Sequence, residues 1–325
     1  MHLPTRSVLS RRDLIAGGGA IYFAGWPLTS HAQRDKIPLL GWLSSTPGSD
    51  PLFEALRTGL RELDYVEGRS IRIEASAAQD NAELRALARE FVRRQVAVIV
   101  ANGRAATRAA QEATATVPIV MAPVDDPYEF VASLARPAGN ITGLALQQTE
   151  IDAKQIEILK ETVPGLSRLG IFYYYGETYY ALESIAHAVG VEVSWIETKG
   201  IANVDTAFSE ALAKGANGIL IVDTGALGKA CDKISALALA RRIPAVASWR
   251  GDAPTSLLLT YAADNAHLQR NAASYVDRLL RGAKPSDLPV EQASRFELIV
   301  NLKVAKELGV KVPSSVLLRA NQVID

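Results

Sequence analysis

The chain has 325 residues, 48% of them hydrophobic, and its 35 basic and 35 acidic side chains cancel. That length and apolar content allow two cores rather than one, and the lack of a basic excess argues against a nucleic-acid ligand. A single cysteine, Cys231, excludes an intrachain disulfide.

Residues 1–32 carry the first signal. Arg11-Arg12 precede a Gly/Ala-rich apolar run that ends near Leu28, followed by Ser30-His31-Ala32. A basic stretch, an apolar stretch and a small-x-small site read as an export signal cleaved after Ala32, with a twin-arginine-like start. The apolar run is shorter and richer in glycine than the roughly 20 residues of a membrane span. Gly17-Gly18-Gly19 follows no strand, and its spacing does not fit a dinucleotide fingerprint. The expected location is the periplasm. Ordinary Sec export stays open beside the twin-arginine route, since Leu14 stands where an aromatic is common.

From residue 36 short apolar runs alternate with amphipathic stretches. Strands are predicted at 36–44, 70–75, 96–101, 117–122 and 141–146. Helices are predicted at 51–64, 82–95 and 105–113, with a short one near 127–135. The run Val96–Ala101 is continuously apolar, as in a strand covered on both faces, whereas 70–75 alternates like a strand with one solvated face. The pattern restarts with helices at 149–163, 178–189, 203–214 and 225–241. The strands between them lie at 169–174, 191–196, 218–222 and 243–247. Cys231 falls in the last of these helices and reads as a packed core thiol. Alternating strands and helices imply parallel sheets joined by right-handed crossovers, and two such series imply two lobes. The tail adds a strand at 255–261, a long helix at 264–281, a connector at 287–290, a strand at 296–301, a helix at 302–308 and an extended stretch at 316–324.

Several words in this order carry a resemblance. They are Val117-Pro118-Ile119-Val120-Met121 before Asp126-Pro127, the run Ser133–Gly143 (SLARPAGNITG), Leu159–Pro164, Tyr275–Pro285 with Asp287–Gln292, and Phe296–Lys303. Together they resemble the ABC-transporter substrate-binding proteins of the tryptophan/tyrosine-binding type, over residues 37–325. The resemblance implies a type I periplasmic-binding fold: two doubly wound parallel-sheet lobes joined by a three-strand hinge. Lobe 1 would be 37–145 plus 262–290, and lobe 2 would be 146–261 plus 291–325. It also implies ABC permease subunits as partners, a small-molecule ligand and no cofactor. A monomer is expected. Two stretches depart from the family: Asn102-Gly103-Arg104 replaces a Gly-Thr-Pro-like turn, and Ser256–Ala262 replaces a Gly-Gly-rich run. Tryptophan and tyrosine therefore do not carry over directly as the ligand.

Strand-end loops are where such a fold binds ligand. Ser44 and Ser45 could meet a carboxylate with backbone N–H groups, or simply flank an ordinary helix cap. Asn102, Gly103 and Arg104 open a helix. Glycine permits close approach and Arg104 suits a bidentate acid, against a reading as a tight turn with a surface arginine. Asp126 reads as a cap before Pro127, which leaves Asp125 to meet an ammonium group. Tyr175 ends a strand within an aromatic cluster that either walls a cleft or packs lobe 2. Asp223 ends the GILIV strand and is the first choice for a cation partner. Trp249 could stack on a ligand, and Tyr261 lies at the hinge.

Enzyme signatures are missing. His2, His31, His187 and His267 have no metal-ligand spacing, and the chain has no nucleophile elbow, phosphate loop or Cys–His pairing. The expectation is a non-enzymatic periplasmic receptor for a small amino acid-like or carboxylate solute, aromatic ones included, feeding an ABC importer. A sensor module and an exported α/β hydrolase are the second and third readings.

Overall fold

The computed structural model describes residues 37–46, 50–174, 180–222, 227, 229–248 and 256–325. The export signal at 1–32 lies outside these residues, as do Tyr175, Asp223 and Trp249.

The first series of elements is β1 (Leu39–Ser44), α1 (Asp50–Glu62), β2 (Arg72–Ala77), α2 (Asn81–Arg93), β3 (Val98–Asn102), α3 (Arg104–Ala113), β4 (Ile119–Val124) and β5 (Ile141–Ala145). The second is α4 (Gln148–Thr162), β6 (Arg168–Tyr174), α5 (Tyr180–Ala188), β7 (Glu192–Thr198), α6 (Val204–Ala213), β8 (Gly218–Ile221), α7 (Lys229–Ala240) and β9 (Ala245–Ala247). The tail comprises β10 (Leu259–Ala263), α8 (Asn265–Leu280), β11 (Glu291–Gln292), β12 (Phe296–Asn301), α9 (Leu302–Leu308), α10 (Ser314–Leu317) and β13 (Gln322–Ile324).

These strands form two sheets, ordered β11-β5-β4-β3-β1-β2 and β13-β12-β10-β9-β8-β6-β7. The fold is α/β with two parallel-sheet lobes. One pair departs from the parallel rule, because β12 runs antiparallel to β10. The chain enters β12 directly from β11 in the other sheet, so no helical crossover sets its direction.

Each sheet is covered on both faces. In β3, Val98 and Val100 pack with α1 and α8, whereas Ile99 and Ala101 face α2 and α3. Strand alternation therefore turns one apolar run into two half-cores. β2 is the edge strand, and its mixed burial matches its alternating sequence. In the second lobe, α4, α5, α9 and α10 share one half-core and α6 with α7 the other.

The tail completes both lobes. Helix α8 buries Ala272, Ala273, Tyr275 and Val276 against α1 and the first sheet. Gly59 permits that approach: a Cβ there would fall inside contact distance of the Arg270 carbonyl. β11 then pairs with β5, with Glu291 opposite Leu144. The sequence reading ended its connector at 290 and contained no strand here, since two residues next to Pro289 show no periodicity.

Two other local expectations differ. The helix near 127–135 is a single 3₁₀ turn, Pro127–Glu129, capped by Asp126 Oδ1 accepting from Tyr128 N at 2.9 Å. Beyond it the Ser133 hydroxyl holds a turn with the Arg136 backbone, and Ala132 N donates to Pro137 O, so the helix cannot continue. The stretch 316–324 is α10 followed by β13 rather than one extended segment.

The chain passes between the sheets three times, at 145–148, 263–265 and 292–296, and hydrogen bonds hold these passages side by side. Ala293 N donates to Ala145 O (2.9 Å), Gln147 Nε2 to Ala293 O (2.8 Å), and Asp264 N to Arg295 O (2.8 Å). Tyr261 and Phe296 stack across the last two passages, with centroids 5.8 Å apart and planes 14° apart.

Replacing Gly59 by valine is expected to overpack the α1–α8 contact and cost about 1–3 kcal/mol. Urea unfolding should show a lower midpoint with an unchanged slope.

Candidate functional site

In both sheets the strand order reverses beside the first strand of the series, between β1 and β3 and between β6 and β8. Parallel α/β sheets bind ligands in the crevice outside the carboxyl ends of strands at such reversals. A cleft of about 920 Å³ lies there. The first lobe contributes Ser45, Gly103, Arg104, Asp125 and Glu129, and Tyr174 and Ser248 come from the second.

The floor is a buried polar knot. β1 and β3 are in register with Ser44 beside Asn102, and Asn102 Nδ2 donates to Ser44 Oγ at 2.9 Å. Gln269 Nε2, from α8, donates to Asn102 Oδ1 at 2.7 Å and to the Ala122 carbonyl. Ser44 Oγ also exchanges hydrogen bonds with the backbone of Thr46, both at 3.1 Å. Of the residues named from sequence, Ser44 and Asn102 thus hold the loop from beneath. Ser45 is tied from both backbone and hydroxyl to the Asn102 carbonyl, at 3.1 and 3.2 Å.

Gly103 follows with φ of 90°, and a Cβ there would collide with the Ser45 hydroxyl. Only glycine suits both the positive φ and that approach. It serves as N-cap of α3 with no side-chain cap, and the helix N-terminus is turned to the cleft.

Arg104 reaches the Glu129 carboxylate and lies 4.0 Å from Asp125. Glu129 bridges to Arg108 at 2.8 Å, and Arg108 sits over the Phe130 ring, 4.8 Å from its centroid. The arginine expected at the cleft is there, held by carboxylates from the loop after β4. Asp125, also named from sequence, lines the same wall.

Tyr261 is placed differently. Its ring stacks on Phe296 in the hinge, burial pushes its hydroxyl pKa up, and the residues after it, Ala262 and Ala263, line the cleft instead. Beside it the buried Gln155 of α4 donates to the Tyr261 carbonyl (2.7 Å) and to Ser248 Oγ (2.6 Å). Gln148 also donates to Ser248 Oγ, at 3.3 Å. A cleft residue is thereby tied to a hinge strand.

The sequence reading did not name Arg85, Glu129, Gln148, Gln155 or Gln269. Only the spacing of Arg104 and Arg108, one turn apart on a helix, hinted that an acid from elsewhere would span them. Among the described residues no group of three side chains could hold a metal, and no helix is long and apolar enough to cross a membrane.

Comparison with known proteins fits this geometry. The model of the ABC transporter substrate binding protein family matches residues 42–324. The chain belongs to that family. Family members are non-catalytic transporter components, typically outside the cytoplasm. The tyrosine-binding protein of Clostridioides difficile (strain R20291) is 27% identical over 289 residues, which make up 86% of this chain and 83% of that protein. The ABC domain from Streptococcus pneumonia in complex with L-Trp superposes with a TM-score of 0.80 at 22% identity, covering 89% of this chain and all of that one. A conserved domain protein from Vibrio cholerae gives 0.79 at 25% identity, with the same coverage. For this family member the two-lobed fold and the cleft between strand ends are the expected architecture.

Two measurements check the site's framework. Asn102→Ala removes one of the two acceptors of the buried Gln269 amide and the donor to Ser44 Oγ, and should cost about 1–3 kcal/mol of stability, seen as a lower melting temperature in the absence of any ligand. Cys231 is buried in α7, and burial pushes its pKa from 9.0 up to about 12. The native thiol should therefore resist iodoacetamide at pH 8 and react only on unfolding. Below pH 9 the thiol is protonated in both states. Above it the unfolded chain alone loses the proton, so this group's contribution to stability falls between pH 9 and about 12.

Proposed function

We propose that this chain is a periplasmic receptor for a small amino acid-like or carboxylate solute, aromatic ones included, which it delivers to ABC permease subunits at the inner membrane. What supports the reading is the meeting of two strand-order reversals at one cleft in a member of a substrate-binding family. The relatives' ligands, L-Trp and tyrosine, point to the same chemical class.

The lobes are assigned as 37–145 plus 262–290 and 146–261 plus 291–325, with the last two boundaries moved about two residues on by β10 and β11, and residues 1–32 as a twin-arginine-like signal cleaved after Ala32. On this assignment the three passages act as the hinge. Ligand enters the open cleft and meets the Ser45–Gly103–Arg104 loop of lobe 1. Asp125 stands ready for an ammonium group. The strand ends of lobe 2 supply Tyr175, Asp223 and Trp249. A ligand that touches both lobes binds the closed form more tightly and shifts the population toward it. The permease then reads the closed surface. No bond is made or broken, the receptor works as a monomer, and neither cofactor nor nucleic acid takes part.

A thermal-shift screen of the exported, processed protein against amino acids, aromatic acids and small carboxylates tests this. At ligand concentrations about a hundred times Kd, stabilisation of about 2.7 kcal/mol is expected by mass action, with a smaller radius of gyration in solution scattering. Turnover of an ester or amide without such stabilisation would support the hydrolase reading instead. Asp223→Ala should weaken binding of an amine-bearing ligand, and unchanged affinity would remove Asp223 from the site.

A further inference from the structure

The arginines of the first lobe are paired wherever a carboxylate is near. On α2, Arg93 binds Glu90, and just past its end Arg94 binds Glu74. On α3, Arg104 and Arg108 share Glu129. Of the three arginines that line the cleft, Arg85 is the exception. It lies in the middle of α2, is partly buried and lines the cleft, yet among the described residues no carboxylate is within ion-pair distance.

The charge on this wall follows directly. Arg85, Arg104 and Arg108 face it, and Asp125 and Glu129 are the acids beside them. Glu112 also reaches the cleft, exposed like Arg108 and two helical turns along α3 from Arg104. The three arginines and three acids balance in number, but the ion pairs join Arg104 and Arg108 to Asp125 and Glu129, and Arg85 is left without a carboxylate partner. A partly buried guanidinium still has donors to give, and its planar fork matches a carboxylate in two hydrogen bonds. Gln79 and Asn81, near the start of α2, add uncharged donors to the same stretch of wall. The way Glu129 spans two guanidiniums shows that carboxylate recognition by arginine is already the local chemistry.

We propose that the solute is a small dicarboxylic compound, with or without an amino group, and that Arg85 receives its second carboxylate. This rests on the receptor reading above and narrows it from carboxylates in general to acidic ones. A solute with a single carboxylate leaves Arg85 unmatched, and the cleft disfavours it. Arg85 would then set specificity, while the loop around Gly103 provides the general amino acid or carboxylate site.

The test is calorimetric titration of the full, processed protein with L-glutamate and glutarate, against L-glutamine, L-tyrosine and L-tryptophan as neutral counterparts. The expected result is that glutamate or glutarate binds at least tenfold more tightly than the neutral compounds. Arg85→Gln should abolish that preference and Arg85→Lys restore part of it, while Arg89→Gln, on the exposed side of the same helix, leaves it unchanged. Tight binding of a neutral compound that Arg85→Gln does not alter would overturn this inference and leave the receptor reading intact. Absence of binding by all five compounds, in protein shown folded by circular dichroism, would overturn the inference together with the amino acid or carboxylate reading beneath it.

Discussion

Three chain passages lie side by side between two sheets, and the hydrogen bonds among them hold the architecture together. Ala293 N to Ala145 O and Asp264 N to Arg295 O join backbones far apart in sequence. Because the passages lie side by side, with the one at 263–265 running opposite to the other two, the carboxyl edges of both sheets open on the same crevice. One passage alone would leave the lobes free to turn about it. Three passages laced together restrict the lobes to a bending motion, which is what a cleft that must open and shut requires. The Tyr261–Phe296 stack lies within this band, and Tyr261 packs against the cores of both lobes. It is therefore better placed to transmit bending than to touch a solute.

The cleft itself depends on a second device, the buried amide of Asn102. Its two ends are used by Ser44 of β1 and Gln269 of α8, so three elements meet at one polar group. A buried amide satisfied on both sides fixes geometry in a way an apolar contact does not. The adjoining Gly103 and Ser45 present their backbone from a fixed position. Binding costs less when the receiving loop is already ordered. Arg104 and Arg108 are likewise preset by Glu129, so the charged wall is formed before ligand arrives.

Much of the fold was legible because its signals are local. The run Val96–Ala101 read as a strand covered on both faces, and Ser70–Ala75 read from its alternation as a strand with one solvated face. Repeated strand–helix units implied parallel sheets, and strand ends implied where the cleft would be. What could not be read depends on contacts across sequence distance. Gln269 stands on the inner face of α8 like any helix residue, and nothing nearby indicates that it meets Asn102. Glu129 looks like the end of a capped turn. β11 is two residues long and gains its identity only by pairing with β5. The antiparallel direction of β12 is set by where the chain enters, which no window of sequence contains. Tyr261 looked like one more strand-end residue near the cleft, but its stacking partner lies 35 residues on, at Phe296.

Helix α8 has a consequence for how the molecule is made. The first sheet takes five of its six strands from the first 145 residues, but one side of its core is covered by α1 alone until Tyr275 and its neighbours arrive and β11 closes the edge. A chain emerging N-terminus first, from a ribosome or through a membrane channel, must hold that half-built lobe open while the whole second lobe is produced. Long-range closure of this kind slows folding and leaves apolar surface exposed in the interval. The same tail that ties the lobes together in the finished receptor thus delays its completion, and a holding chaperone would find its target on the part of the β1, β3 and β4 face that α1 leaves open.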